Sequence, residues 1–119
     1  MSRLSITAVE DVPKIYPPDL DTVFFNFTEP MVFDIPDTVI TFYTLSELIL
    51  ASKLPKQLRD LVAPNAKYMY PKLPETIEYL AIPVMEKIPT LHDGIEEVYG
   101  DVISYKGLIP KTVRVMKQI

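Results

Sequence analysis

The sequence predicts a mainly β repeat solenoid in which short parallel strands stack on one another. The pattern apolar-Pro-x-x-apolar-x-x-apolar recurs along nearly the whole chain, at steps of 19, 19, 19, 18 and 18 residues. The fifth and eighth places are apolar in every block, and five of the six blocks carry proline at the second place. Self-similarity at a fixed short period is the sequence signature of a stacked array.

The blocks define the organisation of the chain, and their first residues are Tyr16, Ile35, Leu54, Leu73, Leu91 and Ile109. We expect a single solenoid domain over 1–119, with a partial turn at 1–15, five repeats from 16 onward and a partial terminal repeat at 109–119. Stepping back 19 residues from the first block puts Leu4 on the eighth place and Ile6 on the tenth, so the partial turn should add a strand of its own.

Each block is expected to open with a turn and to continue as a strand. Proline fixes φ and cannot donate to a ladder, so its place is just before a strand. Residues with β-branched or aromatic character follow, as in DTVITFY, ETIEYLAI and KTVRVMK, which is typical of strands. The block at 91 has His92 at the proline place and contains Gly94, which indicates a tighter turn there.

Stacking is required because no repeat can fold alone. Four buried apolar side chains contribute on the order of 6–12 kcal/mol gross. Ordering the residues of one repeat costs more, at about 1.5 kcal/mol for each residue. The residues at the fifth, eighth and tenth places are therefore expected to form one continuous core between neighbouring turns.

One segment carries a local helix signal. Thr44 and Glu47 have the spacing of a capping box, and the apolar run LILA follows. We therefore expect turns or a short helix at 45–53 on the convex side of the solenoid. The alternative is a helical hairpin over 45–62, broken at Pro55.

The repeats resemble a known architecture. LPKQLRDLVAPN and LPETIEYLAIP are similar to the short leucine-rich repeats of bacterial effector proteins, with the pattern LPxxLxxLxVxxN, and to the FNIP-type repeats of amoebae and large DNA viruses. The resemblance implies a leucine-rich-repeat-like stack and is not specific for a function. The period is shorter than the usual 20 residues, and an asparagine suited to a ladder occurs only at Asn65. The ubiquitin-ligase domain of such effectors is not carried over.

Composition narrows the classes of function. The net charge is −4 with no basic cluster, which argues against nucleic acid as a partner. The chain has no cysteine, so disulfides and zinc-thiolate sites are excluded. Glu10 and Asp11 precede any apolar run long enough for a signal peptide, and no run reaches the length of a membrane span. We expect an intracellular, cytoplasmic protein, with association to a virion as a further location, and no membrane partner.

Catalytic chemistry has little support in the sequence. His92 is the single histidine, and its neighbour Asp93 could complete half of a catalytic pair, but a turn residue is the preferred interpretation. Glu96 and Glu97, with Asp101 nearby, could bind a divalent cation, but adjacent strand side chains point to opposite faces, so the doublet is a poor chelate. With no phosphate-binding glycine loop and no cysteine nucleophile, we expect neither an enzyme nor a cofactor nor a bound metal.

The places left outside the core define a candidate binding face. If the fifth, eighth and tenth places point inward, the sixth, seventh and ninth point outward, on the open side of the strands. Aromatic residues recur there with little charge in the first half, which is typical of a protein-binding surface. The alternative is that these rings only pack on one another and stabilise the sheet. The candidate residues are Phe24, Tyr43, Asp60, Val62, Tyr79 and Tyr99.

The ends of the solenoid are a second candidate surface. The last strand, TVRVMKQI, is expected to leave its backbone edge open, and open edges pair with other chains. A homo-oligomer through the terminal strands, or a structural protein of a viral or surface-layer assembly, is the alternative to binding a foreign protein through the strand face.

Overall fold

A computed structural model describes residues 2–29, 34–49, 54–69, 73–83, 91–103, 105 and 107–118. Within these residues the chain forms nine strands and one short 3₁₀ helix, Val9–Asp11. The strands are β1 Ser2–Ile6, β2 Leu20–Phe25, β3 Thr41–Thr44, β4 Leu48–Ile49, β5 Asp60–Val62, β6 Tyr68–Met69, β7 Tyr79–Ile82, β8 Glu97–Gly100 and β9 Val115–Gln118. The chain is therefore mainly β, as its repeats predict.

The strands of the repeats stack into one parallel sheet. Over the described residues its order is β1-β2-β3-β5-β7-β8-β9, and every neighbouring pair is parallel. The register follows the sequence period: Val23 lies opposite Phe42, Phe42 opposite Leu61, and Leu61 opposite Leu80. The shorter strands β4 and β6 pair in a second parallel sheet. The prediction of a β-solenoid is confirmed.

The proline turns close in the same way in successive repeats. The amide of the fifth place donates to the carbonyl of the second place, as in Val39 to Pro36 at 3.1 Å and Leu58 to Pro55 at 3.2 Å. Proline can occupy the second place because that position only accepts a hydrogen bond. In the block at 91 the turn runs from His92, and Gly94 has a φ of 108°, which glycine alone adopts without strain. The bond that closes this turn, from the Ile95 amide to the His92 carbonyl, is 3.5 Å long, against 3.1–3.3 Å in the proline turns.

The core lies between the two walls of the solenoid, where the sequence places it. The side chains at the fifth and eighth places are fully buried through the middle repeats, among them Val39, Phe42, Leu58 and Leu61. In the partial first turn, Ile6 is buried and Leu4 packs against the core. Aromatic contacts join the tenth place to the eighth, with Phe25 edge-on to Phe42 at a centroid distance of 5.5 Å.

Of the turns or short helix expected at 45–53, no helix forms at residues 45–49, which bend at Glu47 before β4; residues 50–53 lie outside the described part of the chain. The helical hairpin over 45–62 is also wrong, since β4 and β5 occupy parts of that range. The hydroxyl of Thr44 accepts a hydrogen bond from the amide of Ser46, 3.1 Å away, instead of from Glu47 three residues on. This local turn and the bond from the Lys67 amide to the Glu47 carbonyl, at 2.8 Å, replace helical hydrogen bonds.

Polar side chains outside the sheet also join successive turns. Asn65 donates from Nδ2 to the carbonyl of Leu45 at 3.2 Å, so it forms one rung of the kind that an asparagine ladder repeats. Thr76 donates to the carbonyl of Leu58 at 2.6 Å, one turn earlier. These bonds satisfy backbone groups that the sheet leaves free.

Candidate binding face

The outer face of the sheet consists of the side chains at the sixth, seventh and ninth places of the repeats. The parallel register aligns each place into a row that runs across the strands, so Tyr43 lies beside Phe24 and Val62. The structure puts all six predicted residues on this outer face, and each is half-buried: Phe24, Tyr43, Asp60, Val62, Tyr79 and Tyr99. The sequence period therefore located the face correctly, although its role in binding stays a prediction.

The four aromatic residues of the outer face form two pairs. The rings of Phe24 and Tyr43 lie 5.8 Å apart at an angle of 52°, and those of Tyr79 and Tyr99 lie 5.3 Å apart at 36°. Tilted pairs at these distances are attractive, and the Phe24–Tyr43 contact contributes on the order of 1 kcal/mol beyond area burial. The rings of each pair therefore pack on one another, as the alternative interpretation expected, and they are still partly exposed at the surface.

Small side chains separate the two aromatic pairs. In the ninth-place row, Val62 and Ala81 lie between Tyr43 and Tyr99. Ala81 is only 7% exposed because its methyl group is shorter than the side chains on either side of it. The sequence period placed Ala81 on the outer face but did not indicate that its larger neighbours would bury it. Two short apolar side chains therefore separate the rings of Tyr43 and Tyr99 in this row.

Ion pairs border the face along the sixth-place row, which sequence reasoning did not anticipate. Arg59 contacts Glu78 on the neighbouring strand segment, with its Nη2 at 2.6 Å and its Nε at 2.7 Å from Oε2. Arg114 contacts Glu96 at 2.9 Å. The hydrogen bond to Glu78 raises the pKa of the Arg59 guanidinium. Opposite charges one repeat apart in the sequence could have predicted these ion pairs. These pairs are exposed, so they fix positions more than they stabilise the fold.

Two carboxylates of the seventh-place row flank Tyr79. Asp60 on β5 lies beside Tyr79 on one side, and Glu97 on β8 lies beside Tyr79 on the other side. Asp60 accepts a hydrogen bond from the Thr41 hydroxyl at 2.9 Å, and Glu97 accepts one from the Tyr99 hydroxyl at 3.4 Å. Neither carboxylate forms an ion pair with any residue in the described ranges. Partial burial, and then the negative charge of Glu97, raise the pKa of Tyr99.

The residues considered for catalysis or metal binding take part in structural contacts. The Nε2 atom of His92 lies 3.2 Å from the carbonyl oxygen of Ile77 in the preceding turn. Glu96 is paired with Arg114, and Asp101 accepts a hydrogen bond from Gln118 at 3.3 Å. This arrangement fits the interpretation of His92 as a turn residue.

Two grooves lie away from the aromatic pairs. One, of about 460 Å³, follows the proline turns and is lined by Ile40, Arg59, Thr76 and Glu78 among others. The second, of about 720 Å³, lies against the last described turn. Its lining includes Leu91, Leu108, Ile109 and Pro110. Both are open to solvent and are not enclosed cavities.

Comparison with known protein families, curated proteins and solved structures finds no match to this chain. Among the described residues, no helix has the length and apolar character needed to cross a bilayer. The class of protein that the geometry defines is a β-solenoid with one open, aromatic-bearing sheet face.

Proposed function

We propose that this β-solenoid is a non-enzymatic interaction module that binds a partner protein through the outer face of its sheet. One observation carries the proposal: Phe24, Tyr43, Tyr79 and Tyr99 lie half-exposed on a single continuous face. Aromatic side chains are enriched in the centres of protein interfaces, because they bury a large area at a low cost in side-chain entropy. We also propose that the protein is related to the leucine-rich repeats and is located in the cytoplasm.

Rigidity of the face supports this function. The strands are held in register by backbone hydrogen bonds, and the ring pairs Phe24–Tyr43 and Tyr79–Tyr99 restrict one another. A surface ordered before binding loses less entropy when a partner docks. The hydroxyls of Tyr43 and Tyr79 make no hydrogen bond to any described residue. They can therefore donate to a partner without breaking an internal contact.

Paired affinity captures from the native host test the proposal. Wild-type protein is compared with the double variant Tyr43→Ala/Tyr99→Ala, and Ile15→Ala is the control because Ile15 is 88% exposed and outside the sheet. We expect a protein that is retained by the wild type and the control and is lost with the double variant. Retention of every partner by a folded double variant, checked by circular dichroism, would refute binding through this face.

A structural role is the second candidate, and it has an observation of its own. Leu108 is 84% exposed and Ile109 is 55% exposed in the last described turn, beside Leu91 and Pro110. Exposed apolar side chains grouped on one turn favour association with a further protein surface. In that case the solenoid would self-associate or dock into a larger assembly such as a virion or surface layer.

Sedimentation over a range of concentrations tests the structural role. If the apolar turn drives self-association, the wild type should form larger species as concentration rises, and Leu108→Asp should remain monomeric. A wild type that stays monomeric at the highest concentration would refute self-association. The aromatic-face variants should not change this behaviour, which separates the two proposed functions.

A further inference from the structure

Tyr79 and Tyr99, with the carboxylates on either side, form a site with a defined ligand chemistry. Asp60, Tyr79 and Glu97 lie side by side on β5, β7 and β8. With neighbouring strands about 4.8 Å apart, the two carboxylate-bearing positions are about 10 Å apart, and one tyrosine lies between them. Tyr99 adds a second ring at 5.3 Å from the first. We call these four residues the acidic aromatic site.

Neither carboxylate of the acidic aromatic site forms an ion pair within the described residues. Arg59 lies within electrostatic range of Asp60 but forms its ion pair with Glu78, and Arg114 forms its ion pair with Glu96. The remaining polar contacts of Asp60 and Glu97 are hydrogen bonds from hydroxyls, which leave both negative charges in place. The cationic side chains of the same two outer rows are Arg3 and Lys117, on the two outermost strands of the sheet. Negative potential therefore concentrates at the centre of the outer face.

Two independent features of the site favour the same ligand. The π face of a tyrosine attracts a cation through the ring quadrupole. A carboxylate accepts charge-assisted hydrogen bonds, and the planar guanidinium group can stack on a ring while its edge donates to a carboxylate. A neutral apolar side chain would use the rings but would leave Asp60 and Glu97 without compensation.

We propose that the acidic aromatic site receives an arginine side chain of the partner protein, stacked on Tyr79 and Tyr99 and paired with Asp60 and Glu97. This inference rests on the proposed function and adds the partner's chemistry to it: the segment that docks on the outer face is basic. The contact also gives specificity, because a neutral or acidic segment would leave the two carboxylates uncompensated as it covers them.

A matched pair of peptides tests the site directly. The probes are acetyl-Gly-Arg-Gly-Arg-Gly-amide and the same peptide with citrulline, which is nearly isosteric with arginine but neutral. Each is titrated into ¹⁵N-labelled protein. We expect saturable shifts of the Asp60, Tyr79, Glu97 and Tyr99 amides with the arginine peptide, and binding at least about fivefold weaker with the citrulline peptide. Equal binding of both peptides would overturn the proposal.

Two double variants separate a local site from general electrostatics. Asp60→Asn/Glu97→Gln removes two negative charges from the site, and Glu10→Gln/Asp11→Asn removes two from exposed positions on the 3₁₀ helix. The first should weaken the arginine peptide at least about fivefold, and the second should change its affinity less than about twofold. Equal weakening by both would show that only net charge matters and would overturn the site.

A third variant keeps the proposal falsifiable if the charge variants alter the fold. Tyr79→Leu retains an apolar side chain on β7 but removes the ring, so the arginine peptide should bind at least about threefold more weakly. Unchanged affinity in this variant would contradict stacking on Tyr79.

The outcome for this site is distinguishable from that for the proposed function. If the natural partner docks on the outer face but places no basic residue on the acidic aromatic site, the site is wrong and the function stands. If the arginine peptide binds here but the natural partner contacts another surface, the proposed function fails and the cation site stands.

Discussion

Leu61 and Val62 are neighbours on β5 that point to opposite sides of the sheet, so paired substitutions there test the orientation of every repeat. Leu61 is fully buried between Phe42 and Leu80, which are also fully buried. Leu61→Ala removes three carbons, worth about 2.5 kcal/mol of transfer free energy. The cavity left behind adds to this, so we expect a total loss of about 3–4 kcal/mol in the free energy of unfolding.

Val62→Thr is the matched control. Val62 is half-buried on the outer face, and threonine keeps its shape and its preference for strands. We expect a change below about 0.5 kcal/mol. If Val62 instead pointed into the core, the new hydroxyl would be buried without a partner and would cost about 1–3 kcal/mol.

Chemical denaturation followed by far-ultraviolet circular dichroism measures both variants against the wild type. A large loss for Leu61→Ala with little change for Val62→Thr agrees with the structure. A one-residue shift of strand register exchanges the two faces of a sheet. Comparable losses in both variants, or a larger loss for Val62→Thr, would therefore refute the assignment of inner and outer faces.

Three further predictions concern single residues. Gly94→Ala should cost about 1–2 kcal/mol, measured by the same denaturation, because the φ of 108° strains any residue with a Cβ although the space there is open; an unchanged or raised stability would contradict that turn. Asn65→Ala should cost about 1 kcal/mol through loss of its bond to the Leu45 carbonyl, and Asn65→Asp, which cannot donate, should not restore it. Tyr99 should ionise above the usual 10.0, and Glu97→Gln should lower its pKa toward that value. Since the folded state holds this proton more tightly than the unfolded chain does, stability should decline as the pH rises beyond about 10. Ultraviolet difference spectra of wild type against Tyr99→Phe would follow this ionisation, and a value at or below 10 would contradict the local environment.

The period of the sequence predicted the fold and the orientation of side chains because one physical requirement repeats in every turn. Each repeat must bury the same places against its neighbours, so the pattern at Leu58 and Leu61 recurs at Ile77 and Leu80. Because the strands stack in parallel and in register, residues one repeat apart in the sequence lie side by side in rows across the sheet. This is how the candidate face could be located without a structure.

The features that the sequence did not predict depend on contacts between turns. Thr44 and Glu47 have the spacing of a helix cap, but the Thr44 hydroxyl accepts a hydrogen bond from the Ser46 amide and the Glu47 carbonyl accepts one from the Lys67 amide. Local spacing cannot show that competition. The ion pairs along the sixth-place row also required the register, because Arg59 and Glu78 are 19 residues apart.

The measurement that tests the central claim most directly is site-specific photo-cross-linking in the native host. A benzophenone amino acid is placed at Val62, beside Tyr43 on the outer face, or at Ile103, which is 82% exposed and outside the sheet. The account predicts that the probe at 62 captures a discrete partner protein and that the probe at 103 does not. Capture of that partner from 103, with none from 62, would contradict recognition through the outer face.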